Sequence, residues 1–200
     1  MKKLIPVLAL AALLPLPARA AVETYSFDKV HTQITFFVNH LGFSNSSGRF
    51  HVADGQIAFD RSNPEKSSVQ VTIDATNPDM DDDKWNEAVK AADFLDSAHY
   101  PTMSFKSTAI HKLSGDTADI DGDLTVHGVT KPVTLHAIFN KAERETMIQA
   151  YVAGFSATAK IKRSDFGISK GIPFVADDMD IRIEVEAHRN DKPGQEPYNK

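Results

Sequence analysis

A chain of 200 residues with 27 acidic against 22 basic side chains carries no cationic surplus to neutralise a phosphate backbone, which excludes nucleic acid as a partner and gives no reason to dock on anionic lipid. It contains no cysteine, so no disulfide can staple it. Its length suits one domain large enough to rest on packing alone.

The chain opens with Lys2 and Lys3, an apolar run from Leu4 to Leu16 and then Ala18-Arg19-Ala20. A charged start, an apolar stretch too short to span a bilayer and an A-x-A site describe a signal peptide over residues 1–20, cleaved before Ala21. Pro6, Pro15 and Pro17 interrupt the run further. No cysteine follows, which rules out a lipobox, so the expected product is periplasmic and not inserted in the membrane after cleavage. Losing Lys2, Lys3 and Arg19 moves the formal charge from −5 to −8, the 22 basic residues becoming 19 against 27 acidic. Residues 21–190 are read as one domain and 191–200 as a polar C-terminal tail.

From Gln33 to Leu41 the side chains alternate, with Ile34, Phe36 and Val38 on one face, as in a half-buried strand. Ser44 to Gly48 tolerate turn geometry, so a turn is expected there before apolar residues resume at Phe50. Ile57 and Phe59, then Val69, Val71 and Ile73, mark further strands. Asp81 to Asp83 stand where a helix N-terminus favours acids, and the spacing of Trp85, Ala88, Val89 and Ala92 predicts one helix over about 82–92. After Pro101, alternation returns at Met103, Phe105, Ser107 and Ala109, then at Ala118, Ile120, Leu124 and Val126, with Gly122 as a candidate bulge. Val133 to Phe139, Ala153 to Ile161 and Ile181 to Ala187 complete about eight or nine strands. The fold class is therefore all-β, an antiparallel barrel or sandwich with one α-helix.

Four motifs carry a resemblance: D-x-x-H-x-x-I-x-F-x-V-x-H-L-G from Asp28, A-D-F-L-D-x-A-x-Y-P from Ala92, G-D-L-T-V-H-G-V-T-K-P-V from Gly122 and I-K-R-S-D-F-G-I from Ile161. In this order, over essentially the whole mature chain, they resemble the YceI family. The resemblance implies a lipocalin-like antiparallel β-barrel of about eight strands with one helix, enclosing a tunnel for a polyisoprenoid or another long-chain amphiphile. Thr32 replaces the serine common after the first histidine of the motif and keeps its hydroxyl. The segment from Gly167 to Asp180 matches no family pattern.

On that reading the tunnel would be lined by Ile34, Phe36, Val38, His40, Ile57, Phe59, Val71, Met103, Phe105, Leu124, Leu135, Phe139, Phe155, Ala157 and Val185, with Lys131 and Arg163 as candidate head-group contacts. A filled core needs the same residue types, so alternation alone leaves a packed and a hollow barrel open, and the family favours the hollow one. Eight histidines invite a search for metal, but none shows H-x-H or H-E-x-x-H spacing, and no metal site is expected. Asp119, Asp121 and Asp123 form a solvated strand face, and Ser156, in G-F-S-A-T, is not a nucleophile elbow. The expected function is an exported, non-catalytic binding protein for a polyisoprenoid, isoprenoid quinone or fatty-acid derivative, with no other cofactor and a homodimer as its compatible assembly. The alternative is an enzyme or accessory subunit acting on such lipids or in a membrane redox complex.

Overall fold

The computed structural model describes residues 22–190, so the expected signal peptide and polar tail lie outside the described residues. Nine strands pair entirely antiparallel: β1 (Glu23–Phe27), β2 (Gln33–His40), β3 (Ser44–Phe59), β4 (Ser68–Asp79), β5 (Thr102–Lys112), β6 (Thr117–Val126), β7 (Val129–Glu145), β8 (Ala150–Lys162) and β9 (Val175–Arg189). The order β3-β2-β9-β8-β7-β6-β5-β4 closes through the β4–β3 pairing into a ring of eight positions. Closure leaves no exposed edge, which stabilises a barrel against pairing with other chains.

The ninth strand is explained by one interrupted position. β1 and β2 both pair with β3 and β9, β1 through Tyr25↔Arg189 and Phe27↔Ala187, β2 through Gln33↔Glu184 and Ile34↔Ile183. They are two halves of one position, separated by a turn at Asp28–Thr32. Asp28 N–H and Thr32 Oγ1 both donate to the Glu186 carbonyl, at 2.9 and 3.0 Å, which clamps the two sides of the turn to β9. The alternation of Tyr25 and Phe27, both buried, was the signal for β1 that the sequence reading passed over.

Two other expectations change. Ser44 to Gly48 are strand rather than turn, because pairing with β2 from His40↔Ser44 to Phe36↔Gly48 overrides their local preference. The turn is confined to Leu41–Phe43, where Leu41 and Gly42 take the left-handed φ of 56° and 77°. The bulge expected at Gly122 lies across from it, on β5, where the register shifts between Ser107 and Ala109. The extra residue reverses the alternation, so Ile110 rather than Ala109 faces inward.

The helix α1 (Asp83–Lys90) is capped by the Asp82 carboxylate, which accepts from the N–H groups of Lys84 and Trp85. It stops at Ala91, whose backbone is extended, so Leu95 is buried from the following turn and not from the helix. Among the described residues no helix is long and apolar enough to cross a membrane.

Candidate functional site

Alternation sends every second side chain of the barrel inward, and the inward set does not fill the space. A cavity of about 770 Å³ runs through the barrel. On β2, β3 and β4 its wall contains Ile34, Phe36, Val38, Ile57, Phe59 and Val71; on β5 to β9 it contains Met103, Phe105, Leu124, Leu135, Phe139, Phe155, Ala157 and Val185. Along β3 the wall runs from Phe50 to Phe59, roughly 30 Å of strand at about 3.3 Å per residue, or about 23 Å of axis at a usual strand tilt. The volume spread over that length is a bore about 6–7 Å across, one hydrocarbon chain wide.

Small side chains keep the bore open on one side. Ala137 of β7 lies opposite Ala157 of β8, which lies opposite Ile183 of β9, and Ala159 follows on the same wall. One step along the same two strands, Phe139 and Phe155 pack against each other and against Phe59 of β3, with ring centroids 5.2–5.6 Å apart. Edge and tilted contacts of this kind are worth about 0.5–1.5 kcal/mol each beyond the area they bury, so this part of the wall is stiff.

The two ends differ. At one, Met80, Lys84, Trp85 and Val89 close the bore beneath α1, together with Val175 and Met179 from the start of β9. At the other, Arg61, Ser67, Ser68, Lys112, Asp116 and Thr117 border it, contributed by the β3–β4 connection and the β5–β6 turn. The Arg61 guanidinium lies over the Phe139 ring, 5.3 Å from its centroid, so a fixed cation faces the apolar bore there.

Of the residues read from the sequence as site residues, two stand outside the bore and a third borders it in another role. His40 keeps the parity of Val38 but lies beyond the end of the bore, edge-on to Trp85 at 6.1 Å, where the β2–β9 register shifts between Val38 and His40. Lys131 shares the parity of Leu124, directly opposite on β6, yet it is exposed near the start of β7 and borders a separate cleft rather than the bore. Arg163 borders the bore, but its buried guanidinium donates to the carbonyls of Ala176, Lys170 and Val175, and so serves to fasten the connection into β9. Burial lowers its pKa, the cost those carbonyls offset. Besides Lys84 beneath α1, the bore is bordered at its other end by two cations, Arg61 and Lys112, which were passed over because each lies in or beside a turn, where a charge reads as ordinary surface.

The inner wall holds no pairing of acid, base and nucleophile among the described residues; its polar members at the Arg61 end are single hydroxyls, two cations and Asp116.

Comparison with known proteins agrees with this architecture. A family model described as the YceI-like domain matches residues 25–187. A "UPF0312 protein" of Azotobacter vinelandii is 36% identical over 191 residues, covering 94% of this chain and 99% of that one. A Vibrio cholerae relative of the same description is 35% identical over 186 residues, covering 92% and 98%. Among solved structures, Burkholderia cenocepacia BcnA superposes with a TM-score of 0.73 at 25% identity, over 80% of this chain and 98% of that one. A Campylobacter jejuni YCEI protein gives 0.67 at 30% identity, over 75% and 88%. A polyisoprenoid binding domain from Saccharophagus degradans gives 0.57 at 14% identity, over 82% and 98%, a likeness of fold. A closed eight-position barrel around an apolar bore, matched by a domain model from Tyr25 to Ala187 and by relatives along almost their full length, places this chain in the YceI-like family.

Proposed function

We propose that this protein is an exported, non-catalytic carrier that holds one long apolar chain, a polyisoprenoid in the first instance, inside the barrel. The observation that carries the reading is the bore itself: a cavity of about 770 Å³, walled almost wholly by aliphatic and aromatic side chains. That volume lies in the upper part of the range for small-molecule sites, about 300–1,000 Å³, but its slender shape suits a linear molecule rather than a compact one. A methylene takes up about as much room as a water molecule, about 30 Å³, so on the order of 25 carbons fit. The fold likeness to a domain described as polyisoprenoid binding supports the choice of ligand class.

The α1 end carries one bordering cation, Lys84, among apolar side chains, whereas the other carries Arg61 and Lys112 beside several hydroxyls, and this difference supports an orientation. The tail lies under α1, against Trp85 and Met80, and a polar or anionic head group faces Arg61 and Lys112. Isoprenoid quinones and fatty-acid derivatives remain members of the same ligand class, separated by what these two cations prefer. Export rests on the first twenty residues, and N-terminal sequencing of the secreted product beginning at Ala21 is the expected result; a retained Met1 on a cytoplasmic product defeats it. For the ligand, native mass spectrometry of protein from its own host, followed by solvent extraction, is expected to give one long-chain lipid per barrel. A mass equal to the bare chain, with no binding of added prenyl lipids, defeats the carrier reading.

A further inference from the structure

Outside the bore, the turn between β1 and β2 gathers groups that the carrier function does not use. Asp28 Oδ1 accepts from the backbone N–H groups of Val30 and His31, at 2.8 and 3.1 Å, and so belongs to the turn. Its other oxygen, Oδ2, is left facing His31 Nδ1 at 2.8 Å. From β9, Glu186 brings Oε2 to 4.0 Å from the same ring nitrogen. We propose that Asp28, His31 and Glu186 form a site for a divalent transition-metal ion, with Zn²⁺ as the representative, on the outer wall of the barrel.

Three features of the geometry point to an ion. First, the donor atoms of all three residues lie within 4.8 Å of one another, and among the described residues no other group of three such donors does so. An ion bound at 2.0–2.1 Å in a tetrahedron sets its ligands about 3.3 Å apart, and the observed separations of 2.8 and 4.0 Å lie on either side of that value. Glu186 is too distant from His31 for a hydrogen bond, yet close enough to share an ion with it. Second, the charges match: two carboxylates about one imidazole supply the negative charge that a divalent cation cancels, and imidazole with carboxylate suits zinc and its neighbours. Third, the site is anchored on one side and open on the other. Asp28 is buried, with side-chain exposure of 6%, and His188 Nε2 stands behind its Oδ2 at 3.4 Å, in the place of an outer-sphere group that orients a ligand carboxylate. His31 and Glu186 are 61% and 51% exposed, which leaves an entry path and room for water as a fourth ligand.

The clamp on the turn holds these donors in place. The Glu186 carbonyl accepts from both Asp28 N–H and Thr32 Oγ1, so the residue that supplies one carboxylate also fixes the turn that supplies the other two donors. Other surface histidines pair with a single aspartate, as His136 does with Asp119 at 2.7 Å and His111 with Asp121 at 3.1 Å.

The test is calorimetric titration of Zn²⁺ into chelator-treated, dialysed protein, repeated on His31→Ala, Glu186→Gln and the control His136→Ala, with thermal melts of each in the presence and absence of Zn²⁺. One ion per chain is expected, bound at least tenfold more weakly by His31→Ala and by Glu186→Gln and equally well by His136→Ala. Zinc is expected to raise the melting temperature of the parent and the control only. Glu186→Gln leaves the Asp28 turn cap intact, so it carries the test by itself should His31→Ala fail to fold. The proposal is overturned by an absence of saturable binding, by binding that both variants retain, or by a loss in His136→Ala as large as that in His31→Ala, which would mean diffuse association with surface histidines.

Discussion

The ring of Phe105 on β5 lies across Gly122 on β6: a β-carbon at Gly122 would stand 2.3 Å from Phe105 Cζ and 2.6 Å from the Lys106 carbonyl oxygen. The glycine is therefore required by close approach, and the barrel wall is tight beside the β5 bulge. Gly122→Ala is expected to cost about 1–3 kcal/mol, because the Lys106 carbonyl is backbone and cannot give way and the Phe105 ring would have to shift toward the bore. Urea unfolding measures this, and the double variant with Phe105→Leu is expected to recover only the part due to the ring. An unchanged midpoint in Gly122→Ala would show that the strands separate there without cost.

Ala157 tests whether the bore is used. Ligand binding grows by about 0.3 kcal/mol per heavy atom once ordering costs are included, so each five-carbon isoprene unit is worth about 1.5 kcal/mol, roughly tenfold in affinity, until the bore is full. Replacing Ala157 by Trp fills the wall between Ala137 and Ile183. Prenyl alcohols of increasing length should then lose their length dependence beyond the block, while the melting temperature stays near that of the parent. A collapsed core would respond instead with a loss of about 1–3 kcal/mol of stability, and with no binding in the parent either.

Arg61 and Lys112 should sense the head group. Each is a solvent-bordered cation, so its interaction with an anion is worth about 0.2–1 kcal/mol, and removing both is expected to weaken a prenyl phosphate by roughly tenfold. A prenyl alcohol of the same length should change little, and Lys131→Ala, outside the bore, should leave both unaffected. Equal losses for phosphate and alcohol would place the head group at the other end.

The Asp28–His31 pair predicts a pH window. Burial pushes the Asp28 carboxyl up, but the hydrogen bonds it accepts from the His31 ring and from the N–H groups of Val30 and His31 outweigh this and hold it below the usual carboxylate range. The hydrogen bond to Asp28, with its charge and that of Glu186, raises His31 against a small opposing cost of desolvation. Asp28 thus stabilises the fold above its unfolded pKa, and this is lost as pH falls through its lowered value. His31 stabilises below its unfolded value, and this is lost as pH rises through its raised one. The pair should contribute most between about pH 4 and 6.5. Melting of the parent and His31→Ala in chelator-containing buffer checks this: the difference should shrink on both sides of the window, and it should be small because the ring is exposed. A difference independent of pH would assign His31 a packing role alone.

Arg163 should be structural. Replacing it with Ala leaves the carbonyls of Ala176, Lys170 and Val175 without their donor, and an unsatisfied buried acceptor costs about 1–3 kcal/mol. Thermal unfolding should show that loss, with head-group preference unchanged.

What the sequence determined by itself was the direction of its side chains. Period-two alternation is a local property of the chain, and it assigned Phe36, Phe59, Leu135, Phe155 and their companions to one face without knowledge of any partner strand. The same locality explains where it failed. His40 and Ala109 follow the parity, but a register shift on β9 and a bulge on β5, both set by neighbouring strands, ended or reversed it. Lys112 and Arg61 acquired meaning only when the barrel closed and brought the β3–β4 and β5–β6 connections to one end of one bore. His31 and Glu186 are far apart in sequence, and no ligand spacing links them; the β2–β9 pairing brings them together. Whether the barrel is hollow was likewise decided in three dimensions, because the free volume is what remains after the strands at eight positions have contributed their side chains, and Ala137 and Ala157 leave room only by standing on adjacent strands at the same height.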